Sequence, residues 1–436
     1  MSAQPLADTL ATAWEAAAGR LPGADRPEIA GRRRAAFDAF RRHGLPSQKL
    51  EAWKFTGLNA LERQSWALPA DPGPANDGAA DAARLAAAAL PEGSSHRLVF
   101  VGGRFDAAAS RLDGLPDGVR LLPLSQAGEA LAAALAAAGE GRAESLAELN
   151  AALASDGLLL DVAEGVTLAK PVEIIAFGAP ALVNLRHVVR LGRGARATIL
   201  ESYRDGGGTG WTNVFSHIAV DAGAQLDHVR LQDEAITAYH AALGRVDVAG
   251  DARYAHVSVQ GGAAVARHEL HLETTGARAV LDLQGLALAR GASHIDHTLR
   301  LHHALPDCSS NQLFKHVVDD RGHAVFQGGI RVAPHAQKTD AQQLSRTLLL
   351  ADRAQIDTKP ELEILADDVK CSHGASIGDL DAQQLFYMEA RGVGADEARR
   401  LLLAGFAAEI VDAVPDGVLR EHVAAYVAGW LEGGAA

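Results

Sequence analysis

The chain has 436 residues, 48% of them apolar and 22% charged, with a formal net charge of −13. This length supports a large core and more than one structural unit, and the composition is too apolar for the disordered class. The acidic balance argues against nucleic acid as a partner, and no run reaches the roughly 18 apolar residues that would suggest a membrane span. The start lacks the basic stretch and apolar core of a secretory leader. Two cysteines, Cys308 and Cys371, are too few for a disulfide framework. A reducing cytoplasm is the expected compartment.

Residues 1–155 read as a mainly helical, alanine-rich region. Leu10, Trp14 and Ala17 recur at helical spacing, as do Ala36, Phe37 and Phe40 ahead of a stop at His43-Gly44. The densest basic run, Arg32-Arg33-Arg34 with Arg41 and Arg42, falls in a helical pattern and reads as a solvated face. Residues 71–79 read as a loop. A short two-strand signal follows at Arg97–Val101 and Val119–Leu122, and helical patterns return over Gly128–Ala138 and Ser145–Ala154.

Residues 156–379 change to short runs with period-two alternation, such as Leu226-Asp-His-Val-Arg-Leu231 and Leu299-Arg-Leu301. Small turn elements separate them. Gly194, Gly223, Gly250 and Gly276 are spaced by 29, 27 and 26 residues. No room exists for the crossover helices of a βαβ fold. The choices are an antiparallel sandwich or barrel and a β-solenoid, and the loose period favours a β-helix with two or three short strands per repeat.

Residues 380–436 return to helix. Ala398, Leu402, Phe406, Ile410 and Ala413 share one face, Pro415-Asp416-Gly417 breaks it, and Leu419, Val423, Tyr426, Trp430 and Leu431 form a second stripe. Two such helices would cover the last edge of a solenoid.

The chemistry is thin. Fifteen of the eighteen histidines lie between His187 and His373, yet no tight metal or phosphate-loop motif appears. His268 and His271, like His294 and His297, are three apart, so on a strand they face opposite sides. Ser202, Asp205 and His217 lack a nucleophile elbow. The informative segment is Lys359-Pro-Glu-Leu-Glu-Ile-Leu-Ala-Asp-Asp-Val-Lys-Cys-Ser-His-Gly-Ala-Ser376. Cys371 and His373 are two apart, on one face of a strand, and both are iron ligands in kind. Two residues cannot complete a tetrahedral site, so a site shared between subunits is one reading. A buried small Cys371 beside a turn-capping His373 is the other.

This segment, with Glu51-Ala-Trp-Lys-Phe-Thr56, Asn184-Leu-Arg-His-Val-Val-Arg-Leu191 and Phe326-Gln-Gly-Gly-Ile-Arg331, resembles the SufB/SufD family of iron–sulfur cluster assembly scaffolds, on its SufD side. The resemblance spans essentially the whole chain. It implies a mostly β protein: a right-handed parallel β-helix core flanked by N-terminal and C-terminal helical regions. It implies pairing through the β-helix with a SufB-like paralogue, and binding of a SufC-like ATPase through the C-terminal helices, with Phe406, Ile410, Trp430 and Leu431 as candidates. Sulfur donors act indirectly, and the resemblance leaves open whether the isolated chain forms a homodimer. The role implied is a non-catalytic scaffold that supports cluster assembly and iron acquisition. It would carry a transient Fe–S cluster at the shared interface, with His373 and Cys371 as metal candidates, and hold no cofactor stably alone. No flavin motif accompanies this. SufB chains carry a cysteine where Asp352-Arg-Ala354 stands here, and a His-Glu pair where His373-Gly374 stands. The alternatives are a SufB-like paralogue, a stand-alone metal-binding β-helix protein and a carbohydrate-active β-helix enzyme.

Overall fold

The computed structural model describes residues 6–69, 78–136, 139, 141–415 and 417–433. It is mostly β, a solenoid of about 8 turns flanked by helices at both ends of the chain. Alternate strands fall into two sheets, one of ten strands and one of nine. Each turn contributes one strand of about ten residues to each sheet. Thus Tyr239–Val248 lies in the nine-stranded sheet, Arg253–Gln260 in the other, and Val265–Thr274 returns in parallel above the first, Tyr239 against Val265. The loose sequence period is therefore one coil of two strands.

One corner repeats along the whole stack. Gly194, Gly223, Asp251, Arg278, Asp307 and Lys338 all have φ between 58° and 67°. Each donates its N–H to a carbonyl of the next coil: Gly194 to Ala222, Gly223 to Gly250, Asp251 to Ala277, Arg278 to Pro306, Asp307 to Gln337 and Lys338 to Asp368, at 2.7–3.2 Å. Only the first two are the glycines that a left-handed residue favours.

The N-terminal region is helical but not separate. The expected helices are present as Leu6–Ala17, Pro27–His43, Ala130–Ala136 and Ser145–Leu153. Most of the expected loop at 71–79 lies outside the described residues, and a helix begins at Gly78. The two-strand signal is real: His96–Val101 extends the ten-stranded sheet in parallel, and Val119–Pro123 closes the other sheet antiparallel to Leu158–Val162. Trp14, Phe37, Phe40, Trp53 and Trp66 pack against Leu182, Trp211 and Tyr239 on the outer face of the nine-stranded sheet. The basic run corrects one expectation. Arg33 is buried, its guanidinium donating to the carbonyls of Ala152 at 2.8 Å and Ala154 at 2.9 Å, and burial lowers its pKa to about 10.

The C-terminal helices also depart from expectation. Ala395–Val411 and Val418–Leu431 do not cover the last edge. They lie along the outer face of the ten-stranded sheet, where Leu403, Ala407, Ile410, Val423 and Val427 meet Val229, Leu231, Val257, Val259, Leu286 and Leu288. Lys315 reaches out of that sheet to donate to Phe406 O at 2.7 Å, with Glu409 at 2.6 Å. The buried face of the first helix is Leu403, Ala407 and Ile410, one position round from the expected Leu402 and Phe406. The sheet offers outward Val and Leu there, so the flank buries more apolar surface than the narrow end would.

Candidate functional site

The segment Lys359–Ser376 falls within the last coil of the solenoid, formed by strands Gln355–Ile364 and Lys370–Gly378. Among the described residues each of these two strands has one neighbour, because each ends its sheet. Along both, side chains are exposed or half-buried throughout. Ile364, Leu365 and Ile377 stand in solvent.

Cys371 registers with Ala341, and His373 with Gln343. Ser372 donates to Gln342 on the outer face, so Cys371 and His373 point to the inner face, as the spacing of two requires. Cys371 packs against the Ile330, Val332, Ala333, Ala336, Ala341 and Ala366 cluster, and burial pushes its thiol pKa up. His373 is exposed. Among the described residues no group of three or more His, Cys, Asp or Glu converges on a metal position; this chain brings two candidate ligands together at the open end. Ala354 sits at the corner before the last coil, packed among Ala289, Ile295, Val318 and Ala324. Cys308 is buried with its thiol against the carbonyls of Gly276 and Pro306.

Behind His373 the inner face is polar. Gln343 Nε2 donates to Gln312 Oε1 at 2.8 Å. Gln312, His316, Gln343, Ser345 and Thr347 are buried in the same coils.

Three segments distant in sequence meet on the outer face of the nine-stranded sheet. Trp53 stacks over the Arg267 guanidinium at 4.2 Å, and Ala52 O accepts from Arg267 Nη2 at 2.8 Å and Gln327 Nε2 at 3.3 Å. The Thr56 hydroxyl donates to Asp296, and its oxygen lies 2.9 Å from His294 Nε2. Lys359 pairs with Glu51. The N-terminal motif thus straps the sheet down to the last coil.

The histidines divide as the parity argument expects. His268 and His297 point inward and are buried, while His271 pairs outward with Glu269 at 2.8 Å and His294 with His323 at 3.1 Å. Burial pushes the imidazoles of His256, His268 and His297 well below their ordinary pKa. What sequence reasoning missed is an ionised interior. Glu201, His228 and Arg230 are enclosed in the middle coils, with Tyr203 donating to Glu201 at 2.8 Å. Burial alone would raise the Glu201 carboxyl, but His228, His187 and Arg230 hold it well below the usual range. Ser202, Asp205 and His217 do not assemble: His217 faces outward beside Asp247 at 3.3 Å, and Asp205 accepts from Gly207 N in its own turn.

Residues 175–406 match the family described as "SUF system FeS cluster assembly, SufBD core domain", and residues 8–174 match "SufBD protein N-terminal region". The chain belongs to the SufBD family. It is 34% identical over 402 residues to the iron-sulfur cluster assembly protein SufD of Escherichia coli K12, covering 90% of this chain and 91% of that one. A SufBD family protein of Synechocystis is 32% identical over 426 residues, covering 92% of each. Protein ABCI7 of Arabidopsis thaliana, a chloroplastic protein, is 34% identical over 299 residues, covering 65% of this chain and 62% of that one. The boundary between the two SufBD regions cuts strand Val172–Phe177, whose neighbour His96–Val101 comes from the N-terminal region. The two regions therefore share one continuous sheet. After the last strand, the short helix Ala382–Ala390 buries none of its residues; its Phe386 and Tyr387, and Leu401 on the next helix, are exposed large apolar side chains.

Proposed function

We propose that this SufBD-family chain is a non-catalytic scaffold subunit of a cytoplasmic iron–sulfur cluster assembly complex. The observation that carries this reading is the open last coil. Two edge strands without outer neighbours, flanked by exposed Ile364, Leu365 and Ile377, are a surface that another chain completes by strand pairing and apolar contact. The occupant is a SufB-like paralogue. Cys371 and His373 sit on that surface, so the cluster under assembly is cargo held transiently between the two chains, with the partner supplying the main thiolates that Ala354 does not.

The ATPase subunit docks on the C-terminal helices, through side chains other than those their stripes suggested. Ile410 and Trp430 are buried on the solenoid, and Phe406 and Leu431 are half-buried there. Phe386, Tyr387 and Leu401 are the free apolar surface, so they take that role. Deleting the helices would strip the cover from Val229, Val257 and Leu286. Phe386→Asp with Leu401→Asp is the cleaner variant: it should release the ATPase and keep the paralogue.

The decisive experiment is co-purification of the tagged chain without oxygen, with iron and acid-labile sulfide measured per complex. A 1:1 paralogue complex that loses its cluster with His373→Ala, and loses less with Cys371→Ser, supports the scaffold reading. Wild-type cluster content with His373→Ala removes His373 as a ligand, and absence of any paralogue in the complex overturns the scaffold reading itself.

A further inference from the structure

A histidine that binds metal through one ring nitrogen normally gives its other ring N–H to a fixed acceptor, which selects the tautomer and aims the ring. The coil beneath His373 holds such an acceptor. Gln343 is one rung below it in register. It is 3% exposed, and its Oε1 is buried without a hydrogen-bond partner.

The Gln343 amide reaches down the column, where Gln312 Nε2 is also unpartnered. Gln343 Nε2 donates to Gln312 Oε1 at 2.8 Å across one rung, so the Gln343 carbonyl oxygen is the atom left over. Space for this arrangement comes from Gly328 on the facing sheet. A Cβ there would lie 2.3 Å from Gln343 Nε2, and any larger residue would displace the amide. The same one-rung separation, about 4.8 Å between strands, lies between Gln343 and His373. An imidazole spans it as readily as the Gln343 amide spans the step to Gln312. Leaving a buried carbonyl unpaired is unfavourable, whereas turning an exposed ring onto it requires only a rotamer change.

We propose that Gln343 is the positioning residue for His373: its Oε1 accepts the ring N–H of His373, which leaves the other ring nitrogen bare and directed out of the open coil toward the cluster. The inference rests on the reading of His373 as a ligand, and it adds the residue that prepares that ligand before any partner or metal arrives.

The test uses two readouts. The first needs no cluster. In the full chain labelled with 15N-histidine and held at pH 8, the tautomer ratio of His373 is read from its ring nitrogen shifts, assigned by loss in His373→Ala. Gln343→Met keeps the side-chain length and removes the acceptor, and it should move that ratio at least threefold. Gln343→Glu supplies another acceptor at the same place and should keep the ring biased to one tautomer. The second readout is iron per assembled complex, which should fall about tenfold in Gln343→Met and recover in Gln343→Glu. A tautomer ratio identical in wild type and Gln343→Met overturns the positioning role, and it does so even when His373→Ala loses the cluster. A His373→Ala complex with full cluster removes the ligand reading instead, whatever the tautomer ratio shows.

Discussion

The middle and last coils of this solenoid are built on the same ladder positions but live in opposite surroundings. In the middle, His228 and His256 occupy the inner rung that Gln343 and His373 occupy at the end. There the outer faces are covered by helices and each coil is paired on both sides. Polar groups are enclosed and must satisfy one another. At the end the rung opens to solvent, and a side chain of the same type becomes a group for a partner or a ligand to use. The difference separates residues that hold the fold from residues that leave it unchanged.

Acid should act almost entirely on the enclosed coils. His303 and His316 are neutral in the folded chain, with burial lowering each to about 4. The unfolded chain binds their protons from about pH 6.5 downward. Between that pH and about 4 the unfolded state holds more protons, so stability is full above the window and is lost as pH falls through it. Each group contributes on the order of 3 kcal/mol by the bottom of the window, and the more deeply shifted His256, His268 and His297 act in the same direction. Urea midpoints measured from pH 7 to pH 4.5 should fall steadily. A flat profile would mean that the interior histidines are already solvated.

A smaller but still severe effect is expected where the N-terminal strap meets the sheet. Arg267 is buried between Glu269 at 2.8 Å and Asp296. Arg267→Met leaves the buried Asp296 without its cation, leaves Glu269 to His271 and Arg300, and removes the stack on Trp53. A loss of about 3–5 kcal/mol follows, read as a shift in urea midpoint. A shift under about 1 kcal/mol would show that Asp296 finds another partner.

The same contrast explains what was legible in the sequence. Lys370-Cys-Ser-His373 was readable because parity on a strand needs no knowledge of what covers it. The run Leu226-Asp-His-Val-Arg-Leu231 was not. Its apolar residues fall on both faces, Leu226 with His228 and Arg230 on one and Val229 with Leu231 on the other, so the pattern leaves the inner face undecided. The C-terminal helices cover the outer face, so Val229 and Leu231 pack outward and His228 and Arg230 are enclosed. Alternation gives the phase only when one face is wet. The corner column was half visible for a related reason. Gly194 and Gly223 mark it, but Asp251, Arg278, Asp307 and Lys338 take the same left-handed turn without a glycine, so glycine spacing found the period but not every corner. Arg33 was misplaced because helical periodicity does not reveal that two carbonyls of another helix's end lie opposite it.

Between the two regimes lies Gly328, enclosed but facing the polar end. Gly328→Ala would press a methyl against the Gln343 amide. Overpacking of this kind destabilises by about 1–3 kcal/mol, less than the loss of Arg267 because a side-chain end can yield where a buried charge cannot. Thermal unfolding measures it. No change in midpoint would mean that Gln343 has room to turn aside, and the amide ladder would then not be rigid.

The smallest effect is expected at the last rung itself. Cys371→Ser places a hydroxyl against Val332 and Ala341, and half-burial makes the loss about 1 kcal/mol. His373 is exposed and ends the column, so His373→Ala removes no enclosed contact and should change stability by less than about 0.5 kcal/mol. The comparison is sharpest here. An inner-facing histidine in the middle coils is part of a closed polar network, while one at the same parity in the last coil is dispensable to the fold. Urea unfolding of the isolated chain, wild type against His373→Ala, measures this directly. A loss of 2 kcal/mol or more would place His373 among the enclosed residues, and any defect in cluster content would then be read as a defect of folding. An unchanged midpoint means that a cluster defect in the same variant reports on ligation at the interface.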